Sequence, residues 1–302
     1  MKKTALILLL ILVSASSVVA FDFGRFSFTI QPKIPTDVGS ISDYGIGFHY
    51  NDKIASEVRL NITEKRTNEI FSGIENSLNA VVHSEWKWFF IPFQYSFIRN
   101  EKNNFLAGLG AYYYREKLDE NGYFQLASLD TPVNAYINHF LMNLSGPIIE
   151  AEFSHVFNNF FRFTARAEAA PFAFYKVQQQ LDIIPLFEFS DFSYNQSNSG
   201  AMFFHGKLTA HFFELVDVST AYTGSFMSFD VVDFDSDFNV FVSNKDSYSQ
   251  SIQIEGDLNL KFNIFTVNIG IGGIFNAVYL DSTLTTEGKR LYFVFGGKKP
   301  FK

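Results

Sequence analysis

Ionisable side chains recur in this 302-residue chain at even spacings: Glu57 and Arg59; Glu150 and Glu152; Arg162, Arg166 and Glu168; His205, Lys207 and His211; Glu255, Asp257 and Lys261. In extended backbone successive side chains point to opposite sides, so even spacing gathers each set on one face. With Arg25 and Asp217 added, six permanent cations meet seven carboxylates. Two chemistries fit such a face. It can line a water-filled pore whose opposed charges bias the passage of ions or small solutes. Alternatively the charges neutralise one another, a turn at 157–160 setting Glu150 and Glu152 beside Arg162 and Arg166, and one at 213–216 setting His211 against Asp217.

Other chemistries find less support. His205 and His211 stand six residues apart, ~20 Å along a strand, too far to ligate one metal. Asp233, Asp235 and Asp237 offer alternating carboxylates, a weak candidate for Ca²⁺, but they lack the glycine and bidentate glutamate of a helix–loop–helix site, and a solvated hairpin tip is expected. The outer-membrane phospholipase A family places a Ser two residues after its His. Here the residues two after His49, His83, His139, His155, His205 and His211 are Asn51, Glu85, Leu141, Phe157, Lys207 and Phe213. With no Cys, thiolate catalysis and disulfides are excluded. Gly270, Gly272 and Gly273 precede no helix, so they make room for neighbouring Glu255, Asp257 and Lys261 instead of cradling phosphate. No catalytic residue and no cofactor is expected.

These residues must be positioned by strands. Apolar and polar side chains alternate from Phe21 onward, most plainly at Ile252, Ile254, Gly256, Leu258, Leu260, Phe262 and Ile264 against Gln253, Glu255, Asp257, Asn259, Lys261 and Asn263. Twelve such segments are expected, near 25–31, 44–50, 54–63, 89–98, 105–114, 149–157, 160–170, 201–213, 216–227, 252–264, 266–279 and 290–296. The gaps between them alternate long and short, as in an up-and-down barrel with short turns at one end and long loops at the other. Rings cluster at segment ends: Trp86, Trp88, Phe89 and Tyr112 to Tyr114 toward the long loops, Phe157, Phe160, Phe212, Phe213, Phe262 and Phe265 toward the short turns. Aromatic girdles at the two headgroup levels would account for 38 Phe and 14 Tyr.

Residues 1–20 combine Lys2 and Lys3, an apolar core and Val18-Val19-Ala20, and are expected to be a cleaved signal peptide ahead of a single domain, 21–302. Without Lys2 and Lys3, 22 basic residues face 31 acidic ones, a net charge of −9, which speaks against nucleic acid as partner. Within 114–149 the alternation lapses, and Val133, Tyr136, Ile137, Phe140, Leu141 and Leu144 recur at three- and four-residue steps. With Thr131 as cap, Pro132 at the first position and Gly146-Pro147 as stop, a short amphipathic helix is expected in an outer loop, able to constrict the mouth, to lie against the outer leaflet or to pack on neighbouring loops as a lid.

Near the C-terminal end Thr286-x-Gly288-x-x-Leu291-x-Phe293 resembles the sorting signal on the last strand of bacterial outer-membrane β-barrel proteins. The resemblance implies an all-β, closed, antiparallel up-and-down transmembrane barrel in the bacterial outer membrane, with bilayer lipid and, during insertion, the barrel-assembly machinery as partners. Twelve strands ~4.8 Å apart and tilted ~40° close at a radius of ~12 Å, leaving a narrow lumen. The expected function is porin-like passive diffusion of small hydrophilic solutes. The alternative is a closed barrel that serves as a surface binding or structural scaffold through its long outer loops.

Overall fold

The computed structural model describes residues 26–35, 39–49, 53–71, 77–125, 133–183, 190–234, 240–262 and 265–299. They form twelve strands: β1 (Phe26–Pro35), β2 (Gly39–His49), β3 (Ile54–Phe71), β4 (Ser77–Arg99), β5 (Asn103–Gln125), β6 (Val133–Asn158), β7 (Phe161–Ile183), β8 (Ser190–Phe212), β9 (Val216–Phe234), β10 (Val240–Lys261), β11 (Thr266–Leu280) and β12 (Thr283–Lys299). Each pairs antiparallel with its sequence neighbour, and β1 pairs with β12 to close a barrel. That last ladder is interrupted at Gln31 and Pro32, where proline has no N–H to give. Closure leaves no free sheet edge along the lipid-facing wall, the condition for β structure to span a bilayer. The expected segments coincide in order with the observed strands.

The strands are longer than alternation alone suggests. The expected gaps 63–89, 114–149, 170–201 and 227–252 are largely strand. The short connections at 100–102, 159–160 and 213–215 lie at one end with both described termini. At the other end β11 passes to β12 through Asp281 and Ser282 alone, at φ 48° and 64°, the left-handed pair of a tight hairpin. Because ~9–11 tilted residues cross a bilayer, β4 to β8, at 23 to 26 residues each, rise well beyond it, whereas β1 and β2 have 10 and 11. The rim is therefore slanted. Above the lipid level a strand needs no uniformly apolar outer face, so the alternation fades while the backbone ladder continues.

The expected constriction helix is not formed. Val133, Tyr136, Ile137, Phe140, Leu141 and Leu144 all lie in β6, which pairs with β5 on one side and β7 on the other. Tyr136, Phe140 and Leu144 share one face, and Ile137 and Leu141 the other. Each face of this stretch mixes apolar and polar side chains, and superposing the two period-two apolar sets yields three- and four-residue steps without a helix. Gly146-Pro147, read as a stop, falls in a register break within the strand. Thr131 and Pro132, like residues 1–20, lie outside the described residues.

Outwards the wall is apolar: Ile252, Ile254, Leu258 and Leu260 on β10, Ile269 and Ile271 on β11, and Leu291, Phe293 and Phe295 on β12 are all exposed. At the short-turn end the expected girdle is present, with rings paired as Phe160–Phe213 at 5.2 Å, Phe262–Phe265 at 5.1 Å and Phe157–Phe161 at 5.1 Å. His155 belongs to it, edge-on to Phe157 at 4.4 Å with Nδ1 2.7 Å from Asn103 Oδ1. Toward the other end Tyr113 faces outwards and Tyr248 packs on Tyr279 at 6.2 Å. Tyr112 and Tyr114 do not join that girdle; alternation turns both inwards, where they are buried.

Candidate functional site: the barrel lumen

The inward face carries two charged clusters. In the first, Arg59 on β3 meets Glu150 on β6 at 3.0 Å and also pairs with Glu168 on β7. Arg166 on β7 pairs with Glu150 and lies 2.8 Å from Glu168. Glu57 stands 3.6 Å from Arg59 and 3.7 Å from Arg166, Glu152 3.8 Å from Arg166, and Gln94 on β4 donates to Glu150 at 2.8 Å. Two guanidiniums thus face four carboxylates, of which Glu150 and Glu168 are 1% and 2% exposed. Arg166 meets Glu150 and Glu152 along the β6–β7 hairpin, as expected, and Arg59 adds contacts from β3 to β6 and β7 across the barrel.

In the second cluster Lys33 on β1 lies 2.9 Å from Asp43 on β2 and 3.1 Å from Glu255 on β10. Tyr292 on β12 donates to Glu255 at 2.7 Å and accepts from Gln253 at 2.7 Å. Lys207 is close enough to Glu255 and Asp257 to feel their charge. The Tyr292 phenol lies across Gly272, where an added Cβ would overlap its Cζ and Oη. Gly272→Ala is therefore expected to cost about 1–3 kcal/mol by overpacking, read as a lower urea midpoint in detergent. Gly256, with open space around it, is the control that should tolerate alanine.

The inward residues expected from the sequence divide three ways. Glu57, Arg59, Glu150, Glu152, Arg166 and Glu168 come together; His205 reaches Thr223 at 2.9 Å, and His211 reaches Asp217 at 2.6 Å as expected. Glu255 and Asp257 are buried. Arg162 and Lys261, by contrast, are exposed at the short-turn rim, Lys261 pairing with Glu214 in the β8–β9 turn. The place expected of Arg162 beside the carboxylates is taken by Arg59, because the β6–β7 register sets Arg162 opposite Val156. Arg25, Asp235 and Asp237 lie outside the described residues, as does the side chain of Asp233.

Even spacing of charge passes over four members of the site: Lys33, Asp43, Gln94 and Tyr292. Lys33 and Asp43 fall just outside the expected segments, the first of which stops at Gln31, immediately before Pro32, while the second begins at Tyr44. Extending the alternation through Pro32 finds both. Gln94 and Tyr292 fall within expected segments, but neither carries a charge to single it out.

Above the charged clusters the lumen is filled by apolar side chains. Phe90, Tyr112 and Phe203 form a triad with ring centroids 6.3–6.4 Å apart, and Phe140 meets Phe229 at 6.2 Å. Leu144, Ile148, Tyr175 and Val177 pack into the same core. The Arg59 guanidinium lies 5.3 Å from the Phe90 centroid, so one side chain joins the charged layer to the apolar one. Tyr112 Oη is buried with no hydrogen-bond partner among the described residues.

A crease accompanies this filling. The β6–β7 ladder breaks between Ser145 and Ile149, around Pro147, and the β7–β8 ladder breaks between Ala170 and Ala173, around Pro171. Gly200 follows on β8 at φ 149°, a backbone state that side chains disfavour. Below the crease β8 pairs with β9 from Phe212↔Val216 to Met202↔Phe226; beyond it, among the described residues, β8 pairs with β7 alone, and β9 with β10 alone. There β7 side chains cover the β9 edge. Gln179 donates to Val232 O at 2.9 Å and accepts from Val232 N at 2.8 Å, and Tyr175 Oη donates to Ser228 O at 2.7 Å.

No family model matches the chain, and no curated protein matches it in sequence. Among solved structures it is similar to the toluene transporter TodX of Pseudomonas putida, at 9% identity and a TM-score of 0.48, covering 92% of this chain and 90% of that one. It is also similar to the translocator domain of the autotransporter NalP from Neisseria meningitidis, at 10% identity and a TM-score of 0.41, covering 99% and 96%. A third is the outer membrane protease OmpT from Escherichia coli, at 8% identity and a TM-score of 0.40, covering 91% and 93%. These likenesses concern architecture alone, and what the lumen does must follow from its own side chains.

Proposed function

We propose that the chain is a bacterial outer-membrane barrel whose lumen is a route for small hydrophilic solutes, held shut in the conformation described. The observation that carries the reading is the Arg59–Glu150–Arg166–Glu168 cluster inside the wall. A barrel that needed only a stable interior would do as well with apolar residues there, since replacing buried ion pairs by packed hydrocarbon is often neutral or stabilising. Ionisable groups at membrane depth point instead to a solute or ion path. The apolar layer above them suits a closure that works by excluding water. The outward apolar belt and its aromatic girdles support the membrane location, with bilayer lipid as the surrounding partner and the assembly machinery engaged at insertion.

Planar-bilayer recording tests this. The wild-type protein is expected to be mostly silent with brief openings, and Phe203→Ala, which removes one ring of the triad, to lengthen them. Four carboxylates around two guanidiniums should make the open state prefer cations. A second reading, a closed scaffold acting at the cell surface, is favoured by the tall β4–β8 side of the rim. Correctly folded protein that stays silent in wild-type and Phe203→Ala forms alike would select the scaffold.

A further inference from the structure

We propose that the β8–β9 seam is the gate of the lumen, a zipper that closes the barrel wall and opens the channel in one movement. The inference rests on the channel reading above and names the moving part.

The seam is a competition for one strand edge. Antiparallel pairing of β8 and β9 stops at Met202↔Phe226 although both strands continue. Carried on in the same register, it would set Gly200 opposite Ser228 and Gln196 opposite Val232. Along a strand, alternate residues direct their N–H and C=O to the same neighbour. Ser228 and Val232 share that parity, and both are engaged by β7: Tyr175 holds Ser228 O, and the Gln179 amide holds both Val232 O and N. Gln179 thus makes the pair of bonds that the backbone of Gln196 would make. The two arrangements are mutually exclusive, and each gives Ser228 O and the Val232 N–H and C=O a partner.

The competition reaches the lumen through the same side chains. Tyr175 and Val177 on β7 and Phe229 on β9 belong to the apolar layer. Tyr175 therefore does two things at once, packing in the closure and clasping the β9 edge. If β8 takes that edge, β7 must let go, and Tyr175 is withdrawn from the layer. The crease, with the β6–β7 ladder broken around Pro147, the β7–β8 ladder broken around Pro171, and Gly200 beside it, is where the outer parts of β7 and β8 can turn as a unit, because ladder bonds are already missing there. The buried, unpartnered hydroxyl of Tyr112 in the closed layer is a cost that opening would relieve.

The experiment locks the zipped state. Continued register pairs Ser197 with Val231 at a site of the opposite parity, where the two strands exchange no hydrogen bonds and Cα atoms lie ~4.5 Å apart, close enough for a disulfide. In the S197C/V231C double variant, oxidation is expected to form the cross-link and to raise the fraction of time spent conducting by about tenfold or more, reversibly on reduction. Gln179→Ala, which removes the clasp without adding a bond, should move the same way. Failure of the disulfide to form in folded protein would overturn the zipper, because the two edges would never meet. A cross-linked protein that conducts no more than its reduced form, while Phe203→Ala conducts more than wild type, would overturn the zipper and leave the channel. Silence in every variant would overturn the channel, and the zipper with it.

Discussion

Arg166→Ala is expected to destabilise the folded barrel by about 3–5 kcal/mol, the cost of leaving buried carboxylates without their cation. Arg166 reaches Glu150, Glu168, Glu152 and Glu57, and Arg59 alone cannot offset four negative charges. Urea unfolding in lipid vesicles would measure the loss. Glu150→Gln in the Arg166→Ala background should recover part of it by removing one of the stranded charges. A loss below about 1 kcal/mol, the range of exposed ion pairs, would mean that the lumen is wet and the cluster screened.

Ile254→Arg is expected to cost about 2–4 kcal/mol, because its outward position lies midway along the apolar belt, between the girdle at Phe262 and Tyr248 on the same strand. Phe262→Arg, at the short-turn rim, should cost about 0–1 kcal/mol, since a long cationic side chain there reaches the headgroups. The same unfolding assay in vesicles applies. Equal costs at the two positions would show that the belt does not cross a bilayer along β10.

The strands within the belt were legible because lipid imposes a rule on each of them, and the β10 alternation from Ile252 to Leu260 is the plainest case. Outside the lipid that rule lapses. The stretch from Val133 to Leu144 mixes apolar and polar side chains on both faces, so no single polar phase revealed period two. Its helix-like spacing came from Tyr136 and Phe140 on one face interleaving with Ile137 and Leu141 on the other. The site was half legible for a related reason. Inward polarity marked Glu57, Arg59, Glu150, Arg166 and Glu168, but which cation meets which carboxylate depends on distances across the lumen. Hairpin neighbours suggested Arg162 and Arg166; Arg166 is found there, but the other cation, Arg59, comes from a strand far along the chain. The apolar layer was invisible, since Tyr112 read as a girdle residue and Phe203, in phase with the inward His205 and Lys207, carried no charge to single it out.

Every ladder in the barrel but one joins neighbours in sequence, and the exception, β1 with β12, is also interrupted at Pro32. Hairpins between neighbours close short loops, whereas pairing the two ends closes the whole chain and must overcome the largest entropy. A growing sheet therefore gains strands one hairpin at a time and carries two unpaired margins until the end. The join between those margins is the costliest to make and also lacks bonds at Gln31 and Pro32, so the last step of folding gains less than an unbroken ladder would give. An insertion partner that guarded β1 until β12 arrived would decide whether the sheet became a barrel.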